Sequence, residues 1–379
     1  MRPEPFRLER YFAAREFSAP WQLSASDCET LSVGELLAFD PGHLERLQAL
    51  RLGYSETEGA LDLRRAIAGL YEAIRPGNVL VHAGAQEGIF TIVNGLLGPG
   101  DHAIVQWPCY QSLFELPRAA GAEVSPWRAD PATWAPDPDE LPRLLRPETR
   151  LLVVNSPHNP TGYHFDREKF EAIVAFARLH GLVVLSDEVY RGLEYAPHDR
   201  LPAMCDAYER GVSLGVMSKA YGLPGLRIGW LASRDAGLLS AAAAIKDYTT
   251  ICNSAPSEFL ATVALAAGDR ILARNRALAA RNLDLLREFF ARRAGLLRWV
   301  PPRAGPVTYP TVLGHEPVDS FCARVLDGAG VLLLPGTVFE TGSREIRLGF
   351  GRANMPEALG KLDAALARDA AAARPGALY

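Results

Sequence analysis

Lysine is scarce in this chain, four among 379 residues, and one of them, Lys219, stands where an apolar run at 212–217 gives way to a glycine-rich stretch, SKAYGLPGLRIGW at 218–230. An ammonium group at the end of a buried strand is desolvated, its pKa falls, and the neutral amine can form a Schiff base with a carbonyl. Eight residues on, Arg227 offers a fixed cation that can hold a phosphate by paired hydrogen bonds. An amine nucleophile beside a phosphate clamp points to pyridoxal phosphate; the plainer alternative is a strand end whose lysine caps a carbonyl.

Two more apolar runs end in polar residues. The run 151–155 leads into SPHNPTG at 156–162, where an Asn-Pro turn projects Asn159, and the run 182–186 leads into Asp187, Glu188, Val189 and Tyr190. Taken singly, Asn159 is a turn former, Asp187 a helix cap and Tyr190 a core aromatic. Together they supply what a pyridoxal ring needs. A carboxylate keeps the ring nitrogen protonated, while an amide and a phenol hydrogen-bond the ring oxygen. A fourth element, AGAQEG at 83–88, follows an apolar run at 79–82 and opens a helical pattern, so the backbone N–H groups of Ala85 and Gln86 can bind phosphate.

These residues need a scaffold that brings strand ends together. From about 80 to 235 short apolar runs (102–107, 123–127, 151–155, 182–186, 212–217, 227–233) alternate with amphipathic stretches such as 167–179. Strands separated by helices imply an α/β fold with a parallel sheet covered on both faces, and ligands in such sheets lie beyond the carboxyl ends of the strands. A long arginine-rich helical region at 271–294 leads to strand-like runs at 331–334 and 346–350. With an amino-terminal arm at 1–45 these form a second, smaller α/β domain: 1–45 as arm, 46–280 as large domain, 281–379 as small domain.

Composition narrows the function classes. The chain is 48% hydrophobic and 22% charged with a net charge of −4, which suits neither nucleic acid nor an anionic membrane as partner. The amino terminus lacks a signal-peptide core, and no run of about twenty uncharged apolar residues occurs. Five dispersed cysteines without metal-ligand spacing fit small buried hydrophobes in a reducing compartment, so a cytoplasmic location is expected and no metal site.

The motifs NPTG at 159–162, SDEVY at 186–190, SKAYGLPGLRIGW at 218–230 and RLGFG at 347–351 resemble those of the class I/II aminotransferases, fold-type-I pyridoxal-phosphate enzymes, across about 52–351. The resemblance implies a large domain with a mostly parallel, seven-stranded, aspartate-aminotransferase-like sheet plus a smaller α/β domain. It implies pyridoxal 5′-phosphate as cofactor and a catalytic set of Lys219, Asp187 and Tyr190, with Lys219 forming the Schiff base and moving the Cα proton. Asp187 would face the ring nitrogen, Asn159 and Tyr190 the ring hydroxyl, and Tyr110 the ring face. Ala85, Gln86, Ser218 and Arg227 would surround the phosphate. Tyr54 would reach the phosphate of a neighbouring subunit, which implies a homodimer with shared sites. Arg347 would grip the substrate α-carboxylate, with Asn159 beside it.

Two departures stand out. Val216 occupies a position where many relatives carry a phosphate-binding hydroxyl, with Ser218 as its possible substitute. The segment 247–253 lacks the arginine that dicarboxylate-specific members use, which leaves Asp247 and Glu258 as acidic candidates to meet a basic side chain. The expected reaction is transfer of an α-amino group to a 2-oxo acid. The alternatives are lyase or ring-closing chemistry of the same fold, for which the unmatched segment 10–29 could line a specialised pocket, and a non-catalytic binding module.

Overall fold

Strands that are covered by helices on both faces need apolar side chains on both sides, so they appear as continuous apolar runs. The computed structural model describes residues 2–340 and 344–372. Its main sheet contains β1 (Val79–His82), β2 (His102–Trp107), β3 (Glu123–Arg128), β4 (Thr149–Asn155), β5 (Val183–Asp187), β6 (Gly211–Val216) and β7 (Gly229–Ser233). They lie in the order β1-β7-β6-β5-β4-β2-β3. Only β7 runs antiparallel to its neighbours, β1 and β6; every other pair is parallel.

The run expected at 227–233 begins as something other than strand. Arg227 is left-handed (φ +50°) at the end of a 3-10 turn, Pro224–Leu226, and β7 starts two residues later. The loop 217–228 reverses the chain directly, so β7 enters beside β6 without the crossover helix that a parallel neighbour would require.

Helices Ala85–Leu96, Ser112–Ala120 and Ala236–Lys246 cover one face, packing Ile89, Leu113 and Leu239 onto Val105, Val153 and Leu214. On another face Arg167–Leu179 packs Phe170, Ile173, Val174 and Ala177 onto Leu152 and Val184. This helix starts where Asp166 accepts a hydrogen bond from the Lys169 N–H at 2.8 Å, and the chain leaves it through Gly181 at φ +63°.

A second core gathers around β10 (Ile346–Gly349), which is flanked by β8 (Val307–Thr308) and β9 (Leu334–Pro335), both antiparallel to it. The run expected at 331–334 is split: Val331–Leu332 pairs instead, in parallel, with Trp21–Gln22 of the amino-terminal arm. Leu23 is buried in this core, a contribution of about 1.5–3 kcal/mol that ties the arm down. Close approach is built in at Gly349, where a Cβ would meet the Ala25 carbonyl oxygen at 1.5 Å. The helix Gly268–Arg292 runs through both cores, with Ile271 in the first and Leu283, Leu286 and Phe289 in the second.

All five cysteines are free, and all but Cys252 are buried among packed side chains. Among the described residues no helix is long and apolar enough to cross a membrane.

Candidate active site

Strands β4, β5 and β6 are neighbours whose carboxyl ends lie side by side, with Asn155 opposite Asp187 and Asp187 opposite Leu214. Asn155 organises the turn after β4. Its Nδ2 donates to the carbonyls of Asp187 (2.8 Å) and Pro157 (3.1 Å), and its Oδ1 accepts from the Asn159 N–H at 2.7 Å. A single buried amide thus sets the loop that carries Asn159. Read from the sequence, Asn155 was only the last residue of a strand; its side-chain role has no local signature.

A cavity of about 450 Å³ opens beyond these strand ends. Lys219, Asp187, Tyr190 and Asn159 line it, together with Ala85, Gln86, Ser218 and Arg227. Tyr110 and Arg347 close it from other elements. Val216 also faces it, and Tyr54 does not: that side chain is 94% exposed in a loop outside the cavity.

Asp187 is buried, and desolvation pushes its carboxyl up to about 7, against the hydrogen bond from the Val189 N–H (3.2 Å) and the field of Lys219, both of which favour the charged form. Burial lowers the pKa of Lys219; the field of Asp27 opposes this and that of Arg347 reinforces it. The Lys219 Nζ donates to Ser26 Oγ at 2.8 Å, and the Tyr190 hydroxyl donates to the Ser26 carbonyl at 2.8 Å. Ser26 therefore stands between the amine and the phenol and presents an acceptor to each.

The turn before helix Ala85–Leu96 makes an anion cradle. Gly84 takes φ +87° and has no side chain to cap the helix, so the first helical N–H groups are left for a ligand. The Arg227 guanidinium lies over this turn. A Cβ at Gly84 would come within 2.6 Å of Arg227 Nη2, so the glycine is what admits the guanidinium. Arg227 Nη1 donates to the Pro224 carbonyl (3.2 Å) and, at 3.4 Å, to Ser218 Oγ. A left-handed arginine is strained by about 1 kcal/mol or more, and here the strain aims a cation at a helix amino terminus. Beside Val216, Ser218 supplies a hydroxyl in the cavity, although it already faces Arg227.

Arg347, on β10, is 1% exposed. Its Nη1 donates to Asn159 Oδ1 (3.0 Å) and its Nη2 to the Ser24 carbonyl (2.7 Å), while Nε has no partner. Its guanidinium sits 6.0 Å from the Phe12 ring centroid and 5.7 Å from that of Phe339. Among the described residues no carboxylate pairs with it. A buried cation without an ion-pair partner is expensive, and desolvation accordingly lowers its pKa. An incoming carboxylate would complete it.

The arm supplies residues that the motifs did not reveal. Its helix Arg7–Ala13 leans on the cavity: Phe6 packs against Tyr110 at 5.1 Å, the Tyr110 hydroxyl donates to Glu9 Oε1 at 3.1 Å, and the Arg7 N–H donates to Gln111 Oε1 at 2.8 Å. Glu9, Phe12, Glu16, Ser26 and Asp27 line the cavity. Asp27 accepts two hydrogen bonds from Arg352, at 3.0 and 2.9 Å. The expectation that segment 10–29 could line a pocket is thus met by geometry, since Phe12, Ser26 and Asp27 all do so. The acidic candidates Asp247 and Glu258 are corrected. Asp247 caps helix Ala236–Lys246 at the surface, and Glu258 is buried, holding the Ala60 N–H (3.1 Å) and Asn253 Nδ2 (2.9 Å). Neither lines the cavity.

An amine, a buried carboxylate, an anion cradle and an unpaired buried guanidinium fit pyridoxal phosphate and an amino acid carboxylate, and the cradle that a Cβ would fill is the part hardest to explain otherwise. Comparison with known proteins agrees. The model of the family "aminotransferase class I and II" matches residues 37–364. Capreomycidine synthase of Streptomyces vinaceus is 34% identical, over 90% of this chain and 88% of that protein. Arginine–pyruvate transaminase of Pseudomonas aeruginosa is 31% identical, over 81% and 80%. Among solved structures, a PLP-dependent aminotransferase from Streptococcus suis superposes with a TM-score of 0.91 at 32% identity, covering 97% of this chain and 99% of that one. The PLP-dependent cyclase OrfR gives 0.87 at 31%, covering 97% of each. An aspartate aminotransferase of Thermus thermophilus gives 0.84 at 26%, covering 96% and 97%, which identifies the main sheet as aspartate-aminotransferase-like.

Proposed function

The chain belongs to the class I and II aminotransferase family and its cofactor is pyridoxal phosphate, and from that premise we propose that it transfers the α-amino group of an amino acid to a 2-oxo acid. The observation that carries this reading is the convergence of Lys219, Asp187 and the unpaired Arg347 on one cavity.

When bound, pyridoxal phosphate supplies an electron sink for the bonds at the substrate Cα. Arg227 and the N–H groups of Ala85 and Gln86 would hold its phosphate, Lys219 its aldehyde carbon, Asp187 its ring nitrogen, Asn159 and Tyr190 its ring oxygen, and Tyr110 its ring face. Arg347 binds the α-carboxylate through its paired N–H groups, and Asn159, already held by Arg347, orients that guanidinium. Fixing the carboxylate fixes the Cα–H bond relative to Lys219. Burial lowers the pKa of the Lys219 amine, which favours the neutral form that takes the Cα proton and returns it. Ser26 positions Nζ meanwhile.

A second reading has specific support. The likeness to capreomycidine synthase and to the cyclase OrfR favours elimination of a side-chain substituent followed by ring closure, for which the same residues serve because it too begins with removal of the Cα proton. A nitrogen-15 label separates the two. Incubated with a labelled amino acid and unlabelled 2-oxo acids, a transaminase passes the label to a new amino acid. Label kept in a ring product or released as ammonia would overturn transamination in favour of the second reading.

A homodimer is part of the proposal. Leu52, Tyr54, Tyr248 and Ile251 are exposed apolar side chains on two loops. These loops are tied together by Ser55 Oγ donating to the Asn253 carbonyl (3.1 Å) and by Lys246 Nζ donating to the Thr57 and Ile251 carbonyls (2.6 and 3.3 Å). Thr250 Oγ1 of the second loop bonds Glu87, at the start of the phosphate-cradle helix, at 2.7 Å. The apolar patch therefore adjoins the site, where a partner's Tyr54 would be needed.

A further inference from the structure

We propose that this site selects an amino acid whose side chain ends in a cation, with Glu9 and Glu16 as the residues that recognise it; the inference rests on the reading of the cavity as an amino-acid site. Glu9, Phe12 and Glu16 are spaced by three and four residues, which places them on one side of the segment that begins with helix Arg7–Ala13, and all three line the cavity. None of the basic residues of the same segment lines the cavity, and Arg10 is exposed. Arg7 pairs with Glu340 at 3.4 Å, and Arg15 lies over the Tyr11 ring at 4.4 Å and donates to the Tyr11 carbonyl.

The charges in the cavity show what is missing. Arg227 faces the anion cradle, Arg352 is committed to Asp27 through both carboxylate oxygens, and Asp187 is the carboxylate for the ring nitrogen. Once a phosphate lies on Arg227 and an α-carboxylate on Arg347, the carboxylates of Glu9 and Glu16 are left over. Among the described residues the one hydrogen bond to Glu9 comes from the neutral hydroxyl of Tyr110, and its carboxylate lies in the field of Lys219 and Arg347 without pairing with either. Among the described residues the Glu16 carboxylate has no hydrogen bond or ion pair; it lies in the field of Arg352, whose Nε and Nη2 are taken by Asp27. The α-carboxylate anchor points independently to the same wall: Arg347 is buried, its Nε lacks a partner, and its guanidinium faces Phe12, the residue between the two glutamates. A substrate anchored there has an aromatic ring and two carboxylates within its neighbourhood, a surface suited to an apolar stem with a charged end.

The test is equilibrium titration of the holoenzyme, without any 2-oxo acid, with L-arginine and L-lysine and with their uncharged counterparts L-citrulline and L-norleucine, followed by the cofactor absorbance. Each cation should bind about tenfold or more tighter than its counterpart, and the advantage should shrink in 0.5 M salt. In Glu9→Gln and Glu16→Gln the ratio of the two dissociation constants should fall by about tenfold between them. Equal binding of arginine and citrulline by the wild-type protein overturns the inference and leaves the amino-acid site standing, and this comparison needs no variant to fold. If no amino acid of either kind perturbs the absorbance, the reading of the site fails and the inference with it.

Discussion

Asp187 carries a cost that only a ligand removes. Its carboxyl is raised from 3.8 to about 7 chiefly by burial, so the folded protein without cofactor holds a proton there that the unfolded chain has released. By linkage, the contribution is fully present below about pH 4 and is lost as the pH rises toward 7, at about 1.4 kcal/mol per unit. Asp187→Asn is neutral at every pH and escapes this loss. Cofactor-free Asp187→Asn should therefore gain stability relative to wild type between pH 4 and 7, then level off, as measured by urea denaturation at each pH; a difference that does not change with pH would mean the carboxylate is solvated. At this scale the motif residues were legible because each combines a chemical type with a strand end. Ser26 and Asn155 were not, because nothing in their neighbours shows that one receives Lys219 and the other latches Asn159.

The turn at Gly84 shows how an element, rather than a side chain, makes the proposed phosphate site. Its positive φ and the closeness of Arg227 Nη2 mean that Gly84→Ala both strains the backbone and displaces the guanidinium. We expect about 1–2 kcal/mol lost from the cofactor-free protein and cofactor affinity weakened about tenfold or more. Gly225, in the 3-10 turn before Arg227, has open space around an added Cβ, and Gly225→Ala should leave both quantities within error. Thermal melts and cofactor titrations of the two variants make the comparison, and equal behaviour would show that the close approach has no role in binding. Most strands and the helix Arg167–Leu179 were legible at this scale, since apolar runs and helical spacing are local properties. The reversal at β7 was not, because strand direction depends on which neighbour accepts the strand. The helix Arg7–Ala13 was equally hidden: it is short, and what holds it lies far along the chain, as in Tyr11 donating to the Leu333 carbonyl at 2.8 Å.

For the whole molecule, the proposed homodimer turns on Tyr54, which does not line the cavity of its own chain. Tyr54 is 94% exposed, and its loop is pinned from below by Lys246, a buried lysine in a chain with only four. If Tyr54 completes the phosphate site of a partner, two defects in different chains should repair one another. Lys219→Ala removes the proposed proton carrier from its own site, whereas Tyr54→Ala, which costs little folding energy at an exposed position, would weaken the site across the interface. In a hybrid of the two, one site has both defects and the other has neither. Co-expressed at equal levels, random pairing makes half of the dimers hybrid, so activity at limiting cofactor should recover to about a quarter of wild type, although each variant alone stays far below it. Light scattering should give about twice the 41.2 kDa of one chain. A tyrosine acting within its own subunit, or not at all, would leave the mixture no more active than the average of the two variants, and that result would remove Tyr54 from the site.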